Sequence, residues 1–524
     1  MRERPGLRRV RHTLRTNRQY VVFGLLAAAI VGNLGIYVVG AVRGLTSPFS
    51  FDYGEDFVLY LATNPELLYH PIDVEPYLPT VYPPIYPSVV GALHAATGGA
   101  LNVFTVGRLT SIVAALGTTV LVGALSTDRD QVVPFVVAGG IFLANPTVSF
   151  WGVAARVDML GLFFSVAALY WFIDRRGYER LVGAVVLCVL ALYTKQSFIA
   201  APLAIGASLL WERRWKETTA FGIGLGVTGL AVLAGLSMLT DGRAWNQLVV
   251  YQAGQSVRVM DTVWWGYRFA QRNAVLLALG AFASLFRHER VPTVVLGYVL
   301  IAGAVNTYLI GKQGSNWYYF LDLIAGLSVV AGILFSDLYA RRDVAVPEKE
   351  SLRPLVLVCL VLVAQLVLFA QPPLSAHPDG ATAAADVVDD TDRPVLSVDA
   401  SILMRNEQTV IYEPFIMTQL HQAGYWDQTP VLRSIANREY GYIVLSFDVS
   451  DRGSERYPDR WSEEQLRTID ANYELHGVTG SYWIYAPRNE TRNRRAPSFD
   501  DGSGTLHERR PSGLTSGVGP SGSV

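Results

Sequence analysis

The chain has 524 residues, of which 51% are hydrophobic and 17% charged, and its formal net charge is −1. This composition is too apolar for a soluble globular protein and indicates a polytopic membrane protein. The near-zero charge gives no sign of a nucleic-acid partner, and two cysteines in apolar runs offer neither a disulfide framework nor a thiolate metal site.

The chain opens with a basic segment, residues 1–19, that holds seven arginines. An apolar run at 20–42 follows, and its 23 residues exceed a signal-peptide core and suffice to span a bilayer. We therefore predict a retained first transmembrane helix and a cytoplasmic N-terminus.

Ten further apolar runs of membrane length follow the first one. A shorter run at 85–101 contains Pro87 and His94, and counting it as a span would reverse the orientation of everything after it. The ten runs lie at 108–126, 131–149, 157–173, 180–194, 196–211, 218–239, 267–286, 291–310, 317–339 and 354–370.

The distribution of Arg and Lys decides the orientation, because short cytoplasmic loops collect basic residues. If 85–101 does not cross, five connections become cytoplasmic and hold thirteen Arg or Lys, against five in the opposite connections. We therefore predict a plasma-membrane protein with eleven transmembrane helices and an interfacial helix at 85–101. The cytoplasmic connections are 127–130, 174–180, 212–217, 287–290 and 340–353.

The last span delivers the rest of the chain to the outside, so the membrane domain is predicted over 20–371. Small and acidic residues predict a linker at 372–391, and the aperiodic stretch 488–524 predicts a disordered tail. Between them, residues 392–487 predict a small extracytoplasmic α/β domain. Its strands are expected at 394–398, 409–412 and 442–447, and its helices in PFIMTQLHQAG and SEEQLRTIDANY.

With this topology, the unusual polar residues converge on the external face. The stretch SPFSFDYGEDF, in the first external loop at 43–107, places three carboxylates within five positions just after the first span. Three later connections add cations, a carboxylate and an amide near helix ends. The candidate site residues are Asp52, Glu55 and Asp56 in the first loop, Arg156 and Asp158 in the second, Lys195 in the third, and Lys312 and Asn316 in the fifth.

This set suits the transfer of a group from a lipid phosphate to a hydroxyl. A carboxylate that takes the acceptor's proton is worth about 10²–10⁴-fold in rate, while Arg and Lys neutralise the departing phosphate. The three first-loop acids, Asp52, Glu55 and Asp56, could also hold a divalent cation such as Mg or Mn. The competing interpretations are a solvated acidic loop, a structural Arg156–Asp158 pair and lysines that snorkel to the interface.

The order of motifs along the chain carries a family resemblance. Over about residues 20–370, it resembles the GT-C superfamily of polytopic glycosyltransferases, in the branch of protein mannosyltransferases, the aminoarabinose transferase and RgtA/B/C/D-like proteins. The motifs are the acidic stretch after the first span, YPPIYP at 82–87, GRLTS at 107–111, ARVDMLGLFF at 155–164, TKQSFIAAPLA at 194–204 and GSNWYYFLD at 314–322.

The resemblance implies an all-α GT-C membrane fold and an inverting transfer outside the cytoplasm. The sugar donor would be a dolichyl- or undecaprenyl-phosphate sugar, and the acceptor a hydroxyl of a protein, lipid or glycan. A first-loop acid would be the base, and we favour Asp52, followed by Glu55. The Arg156–Asp158 pair matches the family's second-loop motif, and Lys195 matches a position that is often basic.

Two other functional classes compete with a transferase. An ion-coupled transporter or flippase would place ionisable residues near the bilayer midplane, whereas here they gather at the external ends of the spans. A binding protein that uses its membrane part only as an anchor would not need eleven spans. The sequence therefore favours the glycosyltransferase and leaves the sugar and the acceptor open.

Overall fold

The computed structural model describes residues 5–127, 131–286, 288–341, 352–372, 374, 378–450 and 460–488. The chain divides into two compact units, of which the first comprises Met1–Val74 and Leu78–His377. The second comprises Glu75–Tyr77 and Pro378–Val524. The predicted tail lies outside the described residues from residue 489 onward.

The first unit is helical throughout. Short 3₁₀ turns lie at Pro65–Leu67, His288–Arg290 and Trp317–Phe320, and a π-helical turn lies at Asn246–Val250. The α-helices are α1 (Pro5–Thr46), α2 (Glu55–Thr63), α3 (Ile85–Ala96), α4 (Val103–Ser126), α5 (Val132–Leu143), α6 (Pro146–Trp151), α7 (Val157–Asp174), α8 (Gly177–Thr194), α9 (Ala200–Trp211), α10 (Trp215–Leu239), α11 (Arg243–Trp245), α12 (Tyr251–Ala253), α13 (Val259–Arg272), α14 (Ala274–Phe286), α15 (Thr293–Leu309), α16 (Leu321–Ala340) and α17 (Leu352–Leu368).

Within the described part of the chain, six helical segments are long and apolar enough to cross a membrane, and a bent pair would make seven. All seven coincide with predicted spans. The other four predicted spans correspond to the shorter apolar helices α5, α9, α15 and α17. The protein is therefore a multi-pass membrane protein, as predicted, whereas the count of eleven spans stays a prediction.

The predicted span 267–286 contains a sharp break in the structure. Helix α13 ends at Arg272 and α14 starts at Ala274, with a bend of 84° between them. Gln365 of α17 bridges the break, because its Nε2 donates to the Arg272 carbonyl and its Oε1 accepts from the Val275 N–H at 3.4 Å. These bonds satisfy backbone groups that the break releases, which membrane-embedded chains require.

The ambiguous run at 85–101 forms helix α3, which packs against α2. Its twelve residues span about 18 Å, too short for a hydrocarbon core of about 30 Å. A Cβ at Gly91 would lie 2.3 Å from the Ala62 carbonyl oxygen, so the glycine permits the close approach of the two helices. The length of α3 agrees with an interfacial helix.

The second unit is a small α/β domain with a four-stranded sheet in the order β1-β2-β4-β3. Strands β1 and β2 are parallel, and the other two pairs are antiparallel. Its elements are α18 (Ala381–Val388), β1 (Val395–Ser397), α19 (Ala400–Arg405), α20 (Pro414–Gln422), α21 (Thr429–Ala436), β2 (Tyr442–Leu445), α22 (Glu463–Asn472), β3 (Tyr473–Thr479) and β4 (Tyr482–Pro487).

The strands expected at 394–398 and 442–447 and both expected helices are present. Ser462 and Gln465 form the capping box at the start of α22. Helix α18 lies within the segment 372–391 that the sequence indicates as a linker. The hairpin β3–β4 is an element that the sequence reading missed.

The strand predicted at 409–412 is wrong. Tyr412 instead forms an isolated parallel bridge with Tyr77. The Tyr77 N–H donates to the Ile411 carbonyl at 2.8 Å, and the Glu413 N–H donates to the Tyr77 carbonyl at 3.1 Å. The partner of this stretch comes from the long connection between α1 and α4, which a local pattern cannot reveal.

Candidate active site

A fully buried ion pair between Glu55 and Arg108 fixes the acidic stretch. Glu55 begins α2, and Arg108 lies in the second turn of α4. Arg108 Nε donates to Glu55 Oε1 at 2.9 Å, and Nη2 donates to Oε2 at 3.1 Å. The Phe51 and Ala155 N–H groups each add a bond of 2.7 Å to the same carboxylate. Both oxygens of Glu55 are thus already committed to the protein's own donors.

Arg108 also ties the end of α1 to the loop that follows. Its Nη1 donates to the carbonyls of Gly44 at 2.7 Å and Ser47 at 2.5 Å, and its Nη2 donates to that of Phe49 at 2.6 Å. The guanidinium lies 4.0 Å from the centre of the Phe51 ring. One side chain therefore sets the path of the loop immediately before Asp52.

Asp52 is the carboxylate of this loop that contacts Arg156, and the Asp52 side chain is 20% exposed. Arg156 Nη1 donates to Asp52 Oδ2 at 3.3 Å and to the Tyr53 carbonyl at 2.7 Å. Gly54 has a φ of +87°, and a Cβ there would lie 2.8 Å from Arg156 Nη1. The glycine in FDYGED therefore leaves the space that the guanidinium occupies.

The charges continue through Asp158 to Lys195. Arg156 Nε lies 3.6 Å from Asp158 Oδ2, and Lys195 Nζ donates to Asp158 Oδ1 at 2.5 Å. Arg156 Nε and Asp158 Oδ2 are buried and have no hydrogen-bond partner among the described residues. The four side chains form a row of alternating charge, which we call the charge row: Asp52, Arg156, Asp158 and Lys195.

Aromatic rings enclose the two cations of the charge row. Lys195 Nζ lies 3.8 Å from the ring centre of Tyr318 and 4.6 Å from that of Tyr319. The Arg156 guanidinium lies 5.3 Å from the Tyr318 ring, and its Nη2 donates to the Tyr82 hydroxyl at 3.0 Å. Such contacts attract cations and keep water away from them.

For each of the two cations, burial lowers the pKa and the neighbouring carboxylates raise it. Burial lowers the pKa of Lys195 to about 8, although the Asp158 carboxylate favours its charged form. For Arg156, burial opposes the charge, but Tyr82, Asp52 and Asp158 outweigh it and raise the pKa above its usual value. The neighbouring charges thus prevail over burial at Arg156, whereas burial prevails at Lys195.

The remaining predicted residues make other contacts. Asp56 is buried in the first turn of α2, where its Oδ1 accepts from the Phe57 N–H at 3.0 Å. Lys312 is half-buried, and its Nζ donates to the Gln252 carbonyl at 3.3 Å. Asn316 accepts from the Trp317 N–H at 2.7 Å and caps the turn there. The structure therefore joins four of the eight predicted residues in one row of direct contacts.

The sequence reading missed Arg108, Tyr82, Tyr318 and Tyr319. All four lie inside quoted motifs, GRLTS, YPPIYP and GSNWYYFLD. An arginine early in an apolar run, as in GRLTS, is a signal for a buried carboxylate partner, since an unpaired charge there would be costly. The tyrosines carry no comparable signal.

The contacts of the three first-loop acids differ, and a divalent cation held by them stays a prediction. Among the described residues, no three His, Cys, Asp or Glu side chains are grouped so that they could hold a metal ion. Both oxygens of Glu55 accept from Arg108 and backbone N–H groups.

No family model matches the chain, and no curated protein matches its sequence. Solved structures match its fold. ArnT from Cupriavidus metallidurans in the apo state gives a TM-score of 0.57 at 13% identity, covering 89% of this chain and 98% of that chain. ArnT bound to undecaprenyl phosphate gives 0.59 at 13% identity, covering 88% and 98%. The archaeal oligosaccharyltransferase AglB from Archaeoglobus fulgidus, in complex with an inhibitory peptide and a dolichol-phosphate, gives 0.50 at 12% identity, covering 91% and 75%.

At these identities the comparisons show a shared fold. The all-α membrane fold that the order of sequence motifs implies is therefore shared with ArnT and AglB.

The first prediction separates Glu55 from Asp52, two of the three first-loop acids that the sequence could not distinguish. Glu55→Gln leaves Arg108 as a buried charge without its counter-ion, which costs about 3–5 kcal/mol. We expect a lower yield of folded protein and a lower midpoint of thermal unfolding in detergent. Glu66→Gln, at an exposed acid of the same loop, is the matched control. A Glu55→Gln protein that is as stable as wild type but inactive in glycosyl transfer would instead make Glu55 the base.

Proposed function

We propose that this protein is a membrane glycosyltransferase that moves a sugar from a polyprenyl phosphate to a hydroxyl acceptor on the extracytoplasmic side. The observation that carries the proposal is the charge row, which places the partly exposed carboxylate of Asp52 beside the buried Arg156 and links Arg156 through Asp158 to the buried Lys195. The shared fold supports it, since ArnT was solved with undecaprenyl phosphate and AglB with a dolichol-phosphate and a peptide.

Asp52 is the proposed general base. Its carboxylate takes the proton of the acceptor hydroxyl as that oxygen bonds to the anomeric carbon of the sugar. The bond from the anomeric carbon to the phosphate oxygen breaks, and its electron pair leaves with the polyprenyl phosphate. Attack opposite the leaving group inverts the anomeric centre. Glu55 is unsuited to this role, because Arg108 and two backbone N–H groups already occupy its oxygens.

Arg156 and Lys195 are the proposed partners of the phosphate. The guanidinium of Arg156 has five N–H donors. Its Nη2 carries two of them, and one of these two is donated to Tyr82. Lys195 Nζ carries three, of which Asp158 accepts one. Buried cations stabilise the departing phosphate more strongly than solvated ones.

The proposed orientation rests on the Arg and Lys of the loops. It places the segment 174–180 in the cytoplasm and the loop 43–107, together with the second unit, outside. The charge row then faces the extracytoplasmic side, where lipid-linked sugars would be presented to it.

The second prediction tests this orientation by cysteine labelling. Val74 and Tyr178 are both exposed, and both native cysteines are buried. An impermeant thiol reagent should label Val74→Cys in intact cells, and Tyr178→Cys only after the membrane is opened. Labelling of Tyr178→Cys in intact cells would reverse the orientation and remove the site from the outside.

The third prediction concerns Asp52. Asp52→Asn keeps the shape of the side chain but removes its basicity, so transfer from polyprenyl-phosphate sugars should fall by about 10²-fold or more. Binding of the sugar donor and thermal stability should change little. Asp73→Asn, at an exposed acid of the same loop, is the control. Excess Mg or Mn should not restore activity, whereas a lost cation ligand would respond to it. Retention of near wild-type transfer would end the proposal for Asp52.

The fourth prediction uses the pKa of Lys195, which burial lowers to about 8. The ammonium is charged below that pH and neutral above it, so its hold on the phosphate weakens as pH rises through about 8. We expect kcat/KM for the sugar donor to decline there. Lys195→Arg keeps its charge, and its profile should stay flat over the same range even if its absolute rate is lower. The same alkaline decline in both proteins would assign the titration to another group.

A further inference from the structure

Two segments of the first external loop, residues 69–70 and 80–81, are held together by a buried glutamine. Gln247 belongs to the π-helical turn Asn246–Val250, and its side chain is 2% exposed. Its Oε1 accepts from the Thr80 N–H at 2.6 Å, and its Nε2 donates to the His70 carbonyl at 2.7 Å. Both of these hydrogen bonds of the Gln247 side chain go to the backbone of that loop.

Further hydrogen bonds hold the same two segments of the loop. The Tyr69 N–H donates to Thr80 Oγ1 at 2.9 Å, and Arg243 Nε donates to the Tyr69 carbonyl at 3.0 Å. Tyr69 has a φ of +60°, which is strained for a bulky side chain and persists only where neighbours hold it. Gln196, next to Lys195 in the chain, donates from Nε2 to the Val81 carbonyl at 3.1 Å. We call these contacts, centred on Gln247, the loop clamp.

The clamp ends one residue before Tyr82. The Tyr82 hydroxyl accepts from Arg156 Nη2 at 3.0 Å, and its ring centre lies 5.7 Å from the Arg156 guanidinium. A shift of residues 80–81 therefore moves the group that fixes one end of the guanidinium. The opposite end is held by Asp52 and the Tyr53 carbonyl.

We propose that Gln247 is a positioning residue, which acts through Tyr82 to hold Arg156 in the orientation that binds the phosphate of the sugar donor. The expected effect of Gln247 on donor binding rests on the proposed function. The loop clamp itself rests only on the hydrogen bonds described above. A π-helical turn agrees with such a role, because π-turns in helices occur frequently at functional sites.

The test compares Gln247→Met with Asn246→Ala in the full chain. Methionine has a similar volume but makes neither hydrogen bond, while Asn246 is an exposed residue of the same turn. We expect Gln247→Met to raise the KM for the polyprenyl-phosphate sugar on the order of tenfold, since small misplacements of binding groups are costly, with a smaller change in kcat. Asn246→Ala should match wild type in both constants.

A double-mutant cycle shows whether Gln247 acts through Tyr82. Tyr82→Phe removes the hydroxyl that Arg156 contacts, so it should raise the same KM. If the two residues act in series, adding Gln247→Met to Tyr82→Phe should cause little further loss, because coupled positions are not additive. Fully additive losses, or an unchanged KM in an active Gln247→Met enzyme, would overturn the inference.

Amide hydrogen exchange provides a readout that does not depend on activity. Gln247→Met should speed exchange in the peptide that covers residues 78–82, whereas Asn246→Ala should not. Unchanged exchange there would also overturn the inference. Absence of transfer in the wild type, together with faster exchange in Gln247→Met, would contradict the proposed function while confirming the clamp.

Discussion

The site depends on one buried ion pair, Glu55–Arg108. Burying two charges is costly unless their remaining donors and acceptors are satisfied, and here they are. Arg108 donates to both carboxylate oxygens, to one carbonyl at the end of α1 and to two loop carbonyls, while Glu55 also accepts from two backbone N–H groups. Because these bonds join α1, α2, α4 and the residues just before α7, they set where Asp52 and Arg156 can lie. The loop before Asp52 has no regular secondary structure of its own to fix it.

The second constraint is the exclusion of water from the cations. Lys195 and Arg156 are each about 4% exposed and are bordered by the rings of Tyr318, Tyr319 and Tyr82. In such surroundings the attraction of each cation for an anion exceeds that in bulk water. The same burial lowers the pKa of Lys195, so the proposed binding of a phosphate and its expected weakening at alkaline pH would have one cause.

The sequence predicted the fold wherever composition alone carries the signal. Long apolar runs identified the helices that are long and apolar enough to cross a membrane. The order of motifs indicated a fold that the structure shares with ArnT. Features that depend on distant partners could not be predicted: the break at Asn273, whose freed groups Gln365 satisfies, and the pairing of Tyr412 with Tyr77. The acids of FDYGED are alike in sequence, and only the position of Arg108 shows which of them is structural.

The charge row suggests why base and phosphate partners are adjacent in the proposed reaction. In the resting site Arg156 is shared between Asp52 and Asp158, so part of its charge is already balanced. As Asp52 accepts the proton, its negative charge disappears while negative charge grows on the departing phosphate. Arg156 then interacts more strongly with the phosphate in the transition state than in the ground state, and only such differential interactions raise kcat. Proton transfer and departure of the leaving group are thereby coupled through one guanidinium, whose orientation both Asp52 and Tyr82 maintain.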